Sequence, residues 1–148
     1  MKKDGDMIRK AEKKDKNQVQ YLIKELTGHE ISDSDIENRF DLVASSQIDS
    51  LYVYEHEDKV IGLLGFRIRE NIEENSRFGE ISVLVVDPNY RKLGIGKQLM
   101  NFADELANRN ACLGTWLVSG FGREEQAHVF YKSLGYQITG YRFVKLKS

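Results

Sequence analysis

What the chain has little of already excludes several kinds of protein. It contains one cysteine, Cys112, so no internal disulfide forms and no CxxC metal pair exists. A lone thiol fits a reducing compartment, and a cytoplasmic location is the expectation. Charge of one sign is also missing: 22 Lys+Arg stand against 23 Asp+Glu, a net charge of -1. That balance removes the electrostatic basis of nucleic-acid binding, so no nucleic-acid partner is expected. No apolar run approaches the roughly 18–20 residues of a membrane span, and the charged start "MKKDGDMIRKAEKKDK" has no hydrophobic signal core. The histidines, His29, His56 and His128, have no close-spaced partners of ligand type, so no metal is expected. What is present is a chain of 148 residues, 41% hydrophobic and 30% charged, which suits one globular domain. No repeat or low-complexity linker divides it. Residues 1–6 read as a leader or remnant, because "MIRKA" from Met7 is itself a plausible start, and 7–148 reads as one domain.

The pattern along the chain alternates between two periods. A short strand is expected near Met7. Val19, Leu22, Ile23 and Leu26 then fall on one helical stripe that stops at Gly28. Ser32 to Ser34 offers N-cap residues for a second helix through Ile36, Phe40 and Val43. "LYVYEHEDKVIGLLGFRIR" is two β-rich runs joined at Glu57 and Asp58, a hairpin. "GEISVLVVD" is apolar on both alternations from Val83 to Val86, as in a central strand covered on both faces. Helix, strand and helix follow: Ile95, Leu99, Phe102 and Leu106; then "CLGTWLV"; then Ala127, Phe130 and Leu134 with Gly135 as the stop. "YQITGYRFVKLK" is expected to close the chain as two short strands around Gly140. The fold class is therefore mixed α/β, with helices on both faces of one sheet.

Chemistry concentrates in "VDPNYRKLGIGKQLM", Val86 to Met100. A strand, a glycine turn and a helix present backbone N–H groups and a helix N-terminus to an anion. Gly94 and Gly96 let the backbone approach a phosphate closely, while Arg91, Lys92 and Lys97 add positive charge. Two nucleotide readings fail on particular residues. A P-loop needs Ser or Thr after Gly-Lys, and Gln98 stands there. The dinucleotide fingerprint needs a third glycine, and Leu99 stands there.

The longer pattern Val86, Pro88, Arg91, Gly94, Gly96 resembles the acetyl-coenzyme A signature of the GNAT superfamily of N-acetyltransferases. "AHVFYKSLGY", Ala127 to Tyr136, is similar to that family's A-x-x-F-Y-x-x-x-G-F/Y segment. The element order agrees as well, from Met7 to the C-terminus. The resemblance implies a mostly antiparallel mixed sheet that splays after its central strand. It implies acetyl-CoA as co-substrate, its pantetheine arm on the backbone of Leu84, Val85 and Val86, and its pyrophosphate on Arg91, Lys92, Leu93, Gly94, Ile95, Gly96 and Lys97. Lys92 replaces a glycine common in the family, a change compatible with phosphate. Glu124 replaces a frequent asparagine that helps hold the cofactor, a role that Ser119 or the backbone near Gly120 is left to fill.

Attack of an amine on a thioester needs a neutral amine and a proton for the departing thiolate. Tyr131 falls on the motif tyrosine and is the candidate general acid, since a phenol with a pKa of about 10 is protonated at neutral pH. Against this, it could be a core aromatic beside Phe130. Glu80, at the place on the central strand where some members carry a glutamate base, is the candidate general base. Strand parity sets Glu80, Ser82 and Leu84 on one face and Ile81, Val83 and Val85 on the other. The fold of the family draws the acceptor pocket from the first two helices, the central strand and the final hairpin, which makes His29, Glu30, Asp33, Glu80 and Tyr141 candidates. "GREEQAHVFYKSLGY" resembles small-molecule members such as aminoglycoside and aminoalkylphosphonate N-acetyltransferases. The expected activity is acetyl transfer to a small primary amine in a ternary complex, with no membrane partner. The alternatives are protein lysine or N-terminal acetylation and a non-catalytic acyl-CoA sensor. Homodimers are common in the family, although no self-complementary strip is evident in the sequence.

Overall fold

The computed structural model describes residues 5–91, 93–119 and 124–147, with Glu124 by its backbone alone. Lys92, Gly120 and the Glu124 side chain, all named above, lie outside the described residues. Elements run β1 (Met7–Lys10), α1 (Lys16–Thr27), α2 (Asp33–Ser45), β2 (Asp49–His56), β3 (Lys59–Glu70), β4 (Arg77–Val86), α3 (Ile95–Arg109), β5 (Gly114–Leu117) and α4 (Glu124–Ser133). The helix ends follow their local chemistry. Gly28 stops α1 in the left-handed region, and the Ser32 hydroxyl accepts the Asp35 N–H to start α2. Glu57 and Asp58 take positive φ values of 49° and 62°, the primed turn that suits a two-residue hairpin between β2 and β3.

Among the described residues five strands lie in the order β1-β2-β3-β4-β5, antiparallel throughout except for the parallel β4–β5 pair. On one face α1 and α2 bring Val19, Leu22, Ile36 and Phe40 onto Val53, Val60, Leu63 and Val85. On the other, α3 brings Ile95, Leu99, Met100 and Ala103 onto Tyr54, Ile61, Leu64 and Phe66, and Phe130 of α4 and Leu134 just after it join that layer. Each of the fully buried leucines contributes about 1.5–3 kcal/mol relative to exposure. No helix among the described residues is long and apolar enough to cross a membrane.

Two expectations need correction. The first is strand parity. Gly65 pairs with Val83 and Phe66 with Ile81, so Ser82 is an extra residue that bulges from β4. The bulge resets the alternation: Ile81 and Leu84 lie in the α3 layer, while Val83 and Val85 lie under α1 and α2. Glu80, opposite in parity to Ile81, therefore shares a face with Val83 and Val85 and not with Leu84. The second is the closing pair of strands. Residues 136–147 form no strand, because a strand exists only where a neighbour accepts and donates its backbone hydrogen bonds, and none does so here among the described residues.

Candidate active site

The donor side of the site is a fork in the sheet. β5 pairs with β4 only from Phe78↔Gly114 to Ile81↔Leu117. Beyond Ile81, β4 is bonded to β3 on one side, through Leu84↔Leu64, Val85↔Leu63 and Val86↔Gly62, and among the described residues carries no strand on the other. That open edge offers backbone donors and acceptors to an extended amide-bearing arm, as the resemblance implies for Leu84 to Val86. At its end the Asp87 N–H donates to the Ile61 carbonyl, and the buried Asp87 carboxylate accepts the Asn89 N–H. These bonds fix the turn through Pro88 to Arg91.

Gly94 then serves as N-cap of α3 at φ 77°, with no side chain capping the helix. The first N–H groups of α3 thus face outward, ready for an anion. Gly96 meets α4: a Cβ there would lie 3.4 Å from the Phe130 ring. Arg91, Leu93 and Gly94 lie on this turn, and Ile95, Gly96 and Lys97 open α3. Ile95 itself is buried in the core, so it can contribute only its backbone to a ligand.

Tyr131 sits on α4, partly buried against the α3 layer and ringed by Phe130 at 5.1 Å and Tyr136 at 5.9 Å between centroids. Burial, and next the neighbouring Tyr136 phenol, push its pKa above the ordinary tyrosine value. The group stays a protonated donor throughout the physiological range. Phe130 and Tyr131 both pack against the α3 layer, and packing of the Tyr131 ring leaves its phenol as a hydrogen donor.

Glu80 occupies the other face. Register pairs align Asp49, Arg67, Glu80 and Trp116 in one row across β2, β3, β4 and β5. Asp49 takes a two-pronged grip on Arg67, at 2.9 and 2.8 Å, which raises the guanidinium pKa further. Arg69, two residues along β3, reaches Glu80 Oε1 at 3.8 Å and lies over the Trp116 ring at 5.6 Å. Glu80 is one-fifth exposed, yet its Oε1 is buried and accepts no hydrogen bond among the described residues. Arg69 is half exposed. A desolvated carboxylate oxygen with spare acceptor capacity, beside a guanidinium with spare donors, suits a zwitterionic guest. Tyr131 and Glu80 thus lie on opposite faces of the sheet, and the fork between β4 and β5 is the opening that joins the faces.

The remaining acceptor candidates are not gathered there. His29 and Glu30 lie exposed after α1; the His29 N–H donates to Thr27 Oγ1, and Glu30 pairs with Lys24. Asp33 accepts from Gln20 and ties α2 to α1. Tyr141 is 89% exposed in the segment that forms no strand. A cavity of about 490 Å³ beside the end of α2, lined by Val43, Ser46, Ile48 and Leu51, shares only Asp49 with the row. Sequence reasoning missed Arg67 and Arg69. Their signal was present in "FRIR", where arginines alternate with core residues, but the register that sets them beside Glu80 was not.

Three comparisons bear on this geometry. The profile of the acetyltransferase (GNAT) domain family matches residues 47–138. An aminoalkylphosphonate N-acetyltransferase of Salmonella typhimurium is 30% identical over 141 residues, covering 93% of this chain and 89% of that protein. Among solved structures, a GNAT family acetyltransferase of Staphylococcus aureus superposes with a TM-score of 0.80 at 26% identity, covering 96% and 98% of the two chains. An aminoglycoside N-acetyltransferase solved in complex with CoA superposes with a TM-score of 0.83, covering 96% and 94%; at 16% identity that likeness is one of fold.

Proposed function

The chain belongs to the GNAT family and is an acetyltransferase, and from that premise we propose that it moves the acetyl group of acetyl-CoA to the primary amine of a small molecule that also bears an anionic group. The observation that carries this reading is the Glu80–Arg69 pair: a buried carboxylate oxygen with no hydrogen-bond donor among the described residues, next to a half-exposed guanidinium, at the mouth of the fork. The aminoalkylphosphonate specificity named for the Salmonella relative supports the same acceptor class.

The open edge of Leu84 to Val86 and the turn Arg91 to Lys97 fit a pantetheine arm and a pyrophosphate respectively. Bound there, acetyl-CoA supplies an electrophilic thioester carbon. Glu80 accepts a proton from the acceptor ammonium, directly or through one water, and so leaves a nucleophilic amine. The new C–N bond forms as the C–S bond breaks; the Tyr131 phenol gives its proton to the sulfur, and the second proton lost by the acylated nitrogen restores the Tyr131 phenol by way of solvent, while Glu80 releases the first to solvent. Arg69 holds the acceptor's anionic end and fixes the amine toward the fork. A cytoplasmic location agrees with the free Cys112 thiol.

The test is thiol release from acetyl-CoA against aminoalkylphosphonates, amino acids, polyamines, aminoglycosides and lysine peptides. The highest kcat/KM should fall among the anionic small amines. A polyamine or lysine peptide as best acceptor would overturn the acceptor class. Saturable CoA binding with no turnover on any amine would turn the reading to a sensor.

A further inference from the structure

Asp6 lies just before β1, in the stretch that the sequence sets apart as a leader, yet its side chain is only 4% exposed. Its two carboxylate oxygens hold different partners. Oδ2 accepts the Tyr54 hydroxyl at 2.7 Å, and Oδ1 lies 2.6 Å from Nδ1 of His56. An ionised carboxylate only accepts, so His56 carries a proton on Nδ1. Both partners stand on β2, and each touches the connection from β4 into α3. The Tyr54 hydroxyl lies 3.3 Å from Oε1 of Gln98, in the first turn of α3. The His56 ring meets Tyr90 edge-on at 5.8 Å between centroids, and Lys59 lies over the same Tyr90 ring at 5.3 Å. Burial, then the hydrogen bond and charge of Asp6, push the Tyr54 pKa up to about 12, so the hydroxyl keeps its proton throughout the physiological range.

Gln98 and Tyr90 are the two points at which the glycine turn is fastened. The Gln98 N–H donates to the Gly94 carbonyl at 3.0 Å, the first bond of α3, which leaves the N–H groups of Ile95, Gly96 and Lys97 without an intrahelical acceptor. The Tyr90 N–H donates to the Asp87 carbonyl at 2.9 Å and closes the turn before Arg91. We propose that Asp6 is a positioning residue for the donor site: through Tyr54 it holds Gln98, through His56 it holds Tyr90, and it so keeps the N–H groups of Ile95 to Lys97 aimed at one pyrophosphate. The inference rests on the reading of this turn as the acetyl-CoA site. A carboxylate suits the task because it takes one donor on each of two oxygens, and charge strengthens both bonds. An apolar residue in its place would strand the buried Tyr54 hydroxyl and free the His56 ring. Convergent bonds to an anion tolerate little error, since a shift of about 1 Å in bound geometry is enough to lose much of their worth.

The experiment uses the full chain, with initial rates and calorimetric titration of CoA for wild type, Asp6→Ala, Asp6→Asn, Tyr54→Phe and the double variant of Asp6→Ala with Tyr54→Phe. Asp6→Ala should raise KM for acetyl-CoA and Kd for CoA about tenfold, the worth of one charge-assisted hydrogen bond, while KM for the acceptor stays within about twofold. Asp6→Asn should recover most of the affinity, because its amide oxygen accepts from Tyr54 and its nitrogen donates to the other tautomer of His56. Tyr54→Phe keeps the buried ring and so keeps the fold; it should weaken CoA by a similar factor, and the double variant should be no weaker than Asp6→Ala alone. Gly94→Val, measured beside them, separates two failures. Unchanged CoA affinity in Gly94→Val would remove the donor-site reading and this proposal with it. Weakened affinity in Gly94→Val beside wild-type affinity in Asp6→Ala would overturn the proposal alone. Equal rises in both KM values, additive losses in the double variant, or an Asp6→Asn no better than Asp6→Ala would also overturn it, since each marks a general disturbance of the fold and not an effect passed through Tyr54 and His56.

Discussion

In the proposed mechanism Tyr131 and Glu80 handle protons in opposite directions, and single substitutions separate the two proposed roles. Tyr131→Phe keeps the ring among Phe130 and Tyr136 and removes only the donor. With the best acceptor, kcat should fall roughly 10²–10⁴-fold while CoA affinity measured by calorimetry stays within a few-fold. Because burial and Tyr136 raise the Tyr131 pKa, any alkaline fall in the wild-type rate due to this group lies above the ordinary phenol value of about 10. An unchanged kcat in Tyr131→Phe would return the residue to the core alone. Arg69→Met should raise KM for an anionic acceptor about 10–100-fold, the worth of one charge-assisted hydrogen bond, and leave KM for acetyl-CoA in place. Equal KM values for wild type and variant would remove Arg69 from the acceptor side. Legibility at this scale divided along the same line. Tyr131 stood in a local motif, so its position on a helix followed from ten contiguous letters. Arg69 gains its meaning from Glu80 across the β3–β4 pairing, and nothing local to "FRIR" states which residue of β4 comes opposite.

Elements were readable where one period runs unbroken and unreadable where the period slips. The stripes of α1 and α3, the Gly28 stop and the Glu57–Asp58 turn are local, and each is present as the residues dictate. The Ser82 bulge is not local: it appears only when β4 is laid against β3, and it reverses the facing of everything after Ile81. Gly65 is the residue that tolerates it. A Cβ there would stand 2.5 Å from Ser82 Oγ and 3.1 Å from Val83 Cβ. The hydroxyl can rotate away, but the Val83 backbone must move. Gly65→Ala should therefore cost about 1–3 kcal/mol in urea unfolding and lower kcat, because the shift passes along β4 to Glu80. Full stability together with full activity would show that the bulge yields without consequence. The glycines of the donor turn act differently. Gly94 has open space for a side chain, yet its φ of 77° strains any L residue. Gly94→Val should thus weaken CoA binding at least tenfold through the turn, with only about 1–2 kcal/mol lost in unfolding.

For the molecule as a whole, the charged anchor at the start of the sheet sets the response to acid. Arg9 of β1 donates to both oxygens of Asp15, at 2.8 and 2.9 Å, and to Glu55 of β2 at 3.0 Å, while the Glu12 N–H also donates to Asp15. Arg9 and the buried Asp15 carboxylate together tie the first strand, its neighbour and the entry to α1. Burial pushes the Asp15 pKa up, but the Arg9 and Glu12 hydrogen bonds outweigh it, and the net shift is downward. A carboxyl that is more acidic folded than unfolded stabilises the fold fully above the unfolded value of about 3.9. That contribution is lost as pH falls through the folded value. Arg9→Met shifts the balance, because burial then acts on Asp15 with the Glu12 N–H and the Lys14 charge against it. The variant should lose about 3–5 kcal/mol at pH 7, the cost of stranding one partner of a buried pair. The gap to wild type should narrow steadily below pH 4, where the wild-type carboxylate also takes up its proton. Adding Asp15→Asn to Arg9→Met should recover part of the loss at pH 7 and flatten the pH dependence. Urea unfolding of the three proteins between pH 3 and pH 7 measures this directly. A gap that stays constant across that range would mean that Arg9 acts through its packed methylenes and not through its charge.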